Sequence, residues 1–134
     1  MPGALVHIGI GLIAAFIVYA FHFKLEYSIS IFIGNLFPDA ISVIIGAIKT
    51  RTLSLTKIWH SQEFMHSQYS ITGSLWTWFS LGFFVFAIGA LLYHYQIIGK
   101  RKMEEYDKIY IFFLIGIMMH LILDLFFVET TAWI

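Results

Sequence analysis

Four long apolar runs, residues 4–23, 28–48, 71–98 and 109–128, occupy most of this 134-residue chain and decide what it can fold into. Each is about 20 residues or longer, which at 1.5 Å per residue crosses a hydrocarbon core of ~30 Å. Backbone polar groups at that depth find no water, so each run must be a helix that satisfies them internally. Composition agrees: with 60% apolar, 19% aromatic and only 12% charged residues, the chain could not cover a soluble domain of this size with polar surface. The expected fold is all-α, an integral membrane four-helix bundle forming one transmembrane domain in the cell (inner) membrane. The first run has neither Lys nor Arg ahead of it nor a small-residue cleavage site after it, so it is expected to stay in the mature protein.

Charge and cysteine content narrow the chemistry. Eight basic and eight acidic residues balance to zero, which argues against a nucleic-acid partner and leaves membrane lipid as the expected surrounding. Cysteine is absent, so disulfides and thiolate metal sites are excluded, and His, Asp and Glu remain as the strong ligands. The polar connections are residues 24–27, 49–68 and 99–108. Four spans put both termini and the second connection on one side. The opposite side carries Lys24, Lys100, Arg101, Lys102 and Lys108, against Lys49, Arg51 and Lys57, so the positive-inside rule directs the termini to the non-cytoplasmic face. In the third run, Trp76, Trp78, Tyr93, Tyr95 and His94 read as interface anchors, and Gly82 and Gly89 as places for close packing. There is no repeat, low-complexity tract or second domain.

Ionisable residues inside the runs carry the functional signal, because each costs a few kcal/mol unless it faces a partner, a cavity or a metal. The stretch GIMMHLILD sets His120 and Asp124 four residues apart on one helix face. Gly3, His7, Gly11 and Ala15 recur every four residues, a small-residue stripe that places His7 in a helix interface. Asn35 and Asp39 share a face beside Pro38, which is expected to break or kink the second helix near mid-depth. His60, Glu63 and His66 fall within seven residues of the second connection. Taken singly, these are an interfacial histidine, a proline kink with a bonded Asp, and a solvated loop. Depth ties them together: at 1.5 Å per residue, His7 lies ~5 Å inside its helix, His120 and Asp124 ~12 and ~6 Å from Val128, and Asp39 ~14 Å from Ile48, all from the terminus side. One polar site in one leaflet follows.

His7, Asp39, His66, His120 and Asp124, with His60 and Glu63 beside them, suit one or two divalent metal ions, zinc foremost. Imidazole and carboxylate without thiolate favour a catalytic over a structural site. The order of His7, Leu36-Phe37-Pro38-Asp39, His60 with His66-Ser67, and His120-Leu-Ile-Leu-Asp124 resembles the membrane-bound metal-dependent hydrolases of the YdjM-like group. Their motifs are an N-terminal His, L-P-D-x-D, H-R-G-x-T-H-S and S-H-x-x-x-D. The chain departs from them at Ile41, which replaces the second Asp, at Ser61-Gln62, which replaces Arg-Gly, and in the six-residue step from His60 to His66. The resemblance implies a helical metal-binding hydrolase, distantly akin to the zinc phospholipase C and S1-P1 nuclease fold, cleaving a phosphoester of a lipid or lipid-linked substrate. In that scheme Asp39 bridges two metals or orients the water, and His60 and Glu63 supply a further ligand and a general base. Two other classes stay open: a bis-His haem protein pairing His7 with His120 and His22 with His94, and an ion or proton pathway lined by Asp39, His120 and Asp124.

Overall fold

The computed structural model describes residues 4–59, 75–100 and 104–126. Among these the chain is all helical: α1 Ala4–His22, α2 Leu25–Thr50, α3 Leu55–Trp59, α4 Leu75–Ile98 and α5 Glu105–Phe126. Three of them, α1, α2 and α5, are long and apolar enough to cross a membrane, and α4 carries a shorter apolar stretch at Leu81–Gln96. Their outer faces are large and greasy, with Leu12, Phe16, Ile29, Ile33, Val85 and Phe86 exposed. The inward face of α2 is built from small and polar residues instead: Ser28, Ile31, Asn35, Pro38 and Ser42 are buried at alternating three- and four-residue steps. That inversion is how a helix packs against protein when lipid already satisfies its large side chains.

α2 and α5 form the central pair and run parallel. Lys24 meets Glu105 at one end, the Ser30 hydroxyl donates to the Ile109 carbonyl at 2.6 Å, and Asn35 meets His120 further along. Between these contacts the two backbones touch. A Cβ on Gly34 would overlap the Phe113 carbonyl oxygen, and a Cβ on Gly116 would overlap the Ile31 carbonyl oxygen and lie 2.7 Å from the Asn35 nitrogen. Only the absence of both side chains lets the helices approach this closely. α1 lies antiparallel on α2 through Ala14, Val18, Tyr27 and Ile31. α4 lies antiparallel on α5, with Ala87 against Leu114, Ile117 and Leu121. The spatial order is therefore α1, α2, α5, α4, and among the described residues α1 and α4 do not touch.

Several expectations change. α2 passes through Pro38 as one continuous helix rather than breaking at 34–39. The missing Pro38 N–H leaves the Gly34 carbonyl without its ladder donor, a loss that a helix packed in protein absorbs; one turn on, the Ser42 hydroxyl separately donates to the Pro38 carbonyl at 3.0 Å. α2 and α5 also begin earlier than residues 28 and 109, because Glu26, Glu105 and Asp107 suit the positive end of a helix. The second connection contains the short α3, packed on α2. Gly82 and Gly89 face open space among the described residues and make no close packing. His94 is buried, its ring 5.4 Å from that of Tyr110, rather than an exposed anchor. The turn between α1 and α2 is closed by Phe23 in the left-handed region, φ 52°, whose N–H donates to the Tyr19 carbonyl at 2.8 Å. Beside it, the hydrogen bond from Lys24 to the Glu105 carboxylate, 2.6 Å, raises the lysine above its ordinary pKa.

Candidate metal centre

The end of the molecule opposite the Lys24–Glu105 pair gathers His7, Asp39, His120 and Asp124. His7 comes from the first turns of α1, Asn35 and Asp39 from the middle of α2, and His120 and Asp124 from the last turns of α5. Because α1 is antiparallel to the other two, its start meets the later halves of theirs. His7 and His120 are fully buried and Asp124 nearly so, while the Asp39 side chain keeps 13% exposure.

Asn35 organises the cluster. Its side-chain amide donates to the His7 carbonyl at 2.7 Å, tying α1 to α2, and its own carbonyl lies 2.6 Å from His120 Nδ1. A ring nitrogen at that distance from a carbonyl carries the hydrogen, so His120 Nδ1–H donates and Nε2 is turned toward the carboxylates. His120 Nε2 is 3.3 Å from Asp124 Oδ2 and 3.6 Å from Asp39 Oδ1, and His7 Nε2 is 3.2 Å from Asp124 Oδ1. The two imidazole rings stack, with centroids 4.0 Å apart and planes 22° from parallel.

The geometry is one that could hold a metal ion. Neither nitrogen of the buried His7 ring has a hydrogen-bond partner among the described residues, nor does Asp39 Oδ1. Neighbouring ligands about 2.0–2.1 Å from a tetrahedral ion stand about 3.3 Å apart, which is the spacing of both His–Asp124 contacts. With neutral imidazoles the two carboxylates leave two negative charges in a low-dielectric setting, a cost removed by a divalent cation. His7, His120 and Asp124 offer ligand atoms all within 4.8 Å of one another, a group that could hold a metal ion.

Of the residues singled out in the sequence, the structure brings together His7, Asp39, His120 and Asp124. His60, Glu63 and His66 lie outside the described residues. His22 is exposed, with its ring edge-on to Tyr27 and Phe112, and with His94 it belongs to the other end of the molecule. The part sequence reasoning did not assign is that of Asn35 as the link between the two histidines; its position one turn before Asp39 was the available signal. No protein-family model, curated protein or solved structure matches the chain.

Proposed function

We propose that this chain is a membrane-embedded, metal-dependent hydrolase acting on a phosphoester of a lipid or lipid-linked substrate, in the cell (inner) membrane and with α4 as its fourth span. His7, Asp39, His120 and Asp124 hold one or two divalent ions, zinc in the first instance, and the resemblance assigns His66, His60 and Glu63 to the same site. The observation that carries this reading is the convergence of two buried imidazoles and two carboxylates from three separate helices at ligand spacing. The resemblance to the YdjM-like hydrolases supports it, since the four His and Asp residues that match that group's motifs within the described chain are the four that meet.

What a divalent ion supplies at such a site is a bound water acidified toward about 7 and a polarised ester oxygen. The chain's own residues do the rest. Asn35 sets the His120 tautomer so that Nε2 is the ligand, and Asp124 faces both histidines with separate oxygens. Asp39 is the least buried of the four. The stacked rings speak against haem, because a porphyrin needs the two imidazoles on opposite faces and 4.0 Å between ring centres leaves no room for it. A through-going ion pathway is disfavoured by the backbone contact at Gly34 and Gly116, which seals the helix pair beyond the site.

The test is turnover. Purified chain reconstituted in proteoliposomes with zinc and a mixture of phospholipids should release a phosphoester product, lose the activity to a chelator and regain it with metal. Metal-loaded protein that cleaves no lipid phosphoester would contradict the assignment.

A further inference from the structure

The stacking of His7 on His120 restricts how many ions the centre takes. An imidazole binds a metal in its ring plane, so an ion about 2.0–2.1 Å from a ring nitrogen lies about 3.2 Å from the ring centre. The two rings are 4.0 Å apart and only 22° from parallel. Even if all of that tilt closed toward the ion, an ion in one plane would remain more than about 2 Å out of the other, beyond the reach of a normal bond. One ion is therefore not shared by both histidines in this arrangement.

Asp124 completes the pattern. Its Oδ1 stands 3.2 Å from His7 Nε2 and its Oδ2 stands 3.3 Å from His120 Nε2, each the spacing of two ligands on one ion. Asp39 Oδ1, without a hydrogen-bond partner among the described residues, joins the His120 side at 3.6 Å. Resting on the metal-centre reading above, we infer that the site takes two divalent ions, one on His7 and one on His120 and Asp39, bridged by the Asp124 carboxylate. The ring separation matches the ~3.5–4 Å between ions in two-metal hydrolytic sites. The bridging role falls to Asp124, while Asp39, the carboxylate that the sequence offered for it, serves one ion.

Charge then selects the ligand. One divalent ion would neutralise Asp39 and Asp124, whereas two carry a surplus of about two positive charges over that pair of carboxylates. That surplus suits an anionic substrate group such as a phosphodiester, and it disfavours neutral esters and amides.

Titration of the purified chain with Mn2+, read by metal analysis and electron paramagnetic resonance, decides the matter. Two ions per chain with an exchange-coupled spectrum are expected. His7→Ala should reduce the content to one ion with an isolated six-line signal, and Asp124→Asn should remove the coupling. One ion per wild-type chain, with the six-line signal, would overturn the bridged pair while leaving a mononuclear hydrolase intact. No bound ion at all would overturn the metal-centre reading itself. Because the wild-type spectrum alone separates these outcomes, a variant that fails to fold does not blunt the test.

Discussion

Gly34→Ala perturbs the proposed centre without touching a ligand. The added methyl group would overlap the Phe113 carbonyl oxygen, a backbone atom that no rotamer change can move aside. Restoring van der Waals separation requires α5 to shift from α2 by on the order of 1 Å. His120 Nδ1 now lies 2.6 Å from the Asn35 carbonyl, one residue beyond Gly34, so the same shift stretches that bond past hydrogen-bonding range. Overpacking costs about 1–3 kcal/mol, and a buried donor left without its acceptor costs about 1–3 kcal/mol more, so a loss of roughly 2–6 kcal/mol in stability is expected. Loss of the bond that orients a ligand should also lower metal affinity by about 10–100-fold. Thermal unfolding and competition with a chromophoric chelator measure the two effects on the same preparation. Gly82→Ala and Gly89→Ala are the internal controls, since a Cβ at either meets nothing within 4 Å among the described residues. If Gly34→Ala left both stability and affinity at the level of these controls, the backbone contact would not be what positions His120.

Asn35→Ala removes the amide bond to the His7 carbonyl but keeps the backbone carbonyl that receives His120, so its metal affinity should fall through displacement of His7, while Ser30→Ala, which deletes another buried bond between helices, should leave affinity unchanged; chelator competition on both variants checks this. His22→Ala should retain full metal content, because His22 stands fifteen residues, roughly 22 Å, along α1 from His7; metal analysis that found a loss as large as that of His120→Ala would contradict a single site at one end. Labelling of Thr52→Cys by an impermeant reagent should occur from the non-cytoplasmic side, as the distribution of Lys and Arg requires; labelling from the cytoplasmic side alone would reverse the orientation.

The three long apolar helices and the meeting of His7, Asp39, His120 and Asp124 were readable because hydropathy and depth are local properties. His7, Asp39, His120 and Asp124 each interrupt an apolar run, and counting residues from the run ends put all four near one membrane face. Pairing of helices was not readable, since apolar runs that face lipid carry little amphipathic pattern to say which side meets protein. Gly34 and Gly116 decide the α2–α5 contact, yet glycines at 82 and 89 look the same in sequence and face open space among the described residues. The propensity of Pro38 to break a helix is intrinsic, whereas the packing that carries α2 through it without a break is tertiary. His94 was taken for an anchor because it neighbours Tyr93 and Tyr95, but helical geometry turns it inward onto Tyr110 while those two stay exposed.

The central claim is that the buried His–Asp cluster is a metal centre, and the metal content of purified wild-type protein beside that of His120→Ala tests it most directly. Wild-type chain exposed to zinc and then desalted should retain at least one ion per chain, and the variant should retain fewer than the wild type, because losing His120 removes the ligand that faces both Asp39 and Asp124. Equal and substoichiometric zinc in the two preparations would contradict the claim.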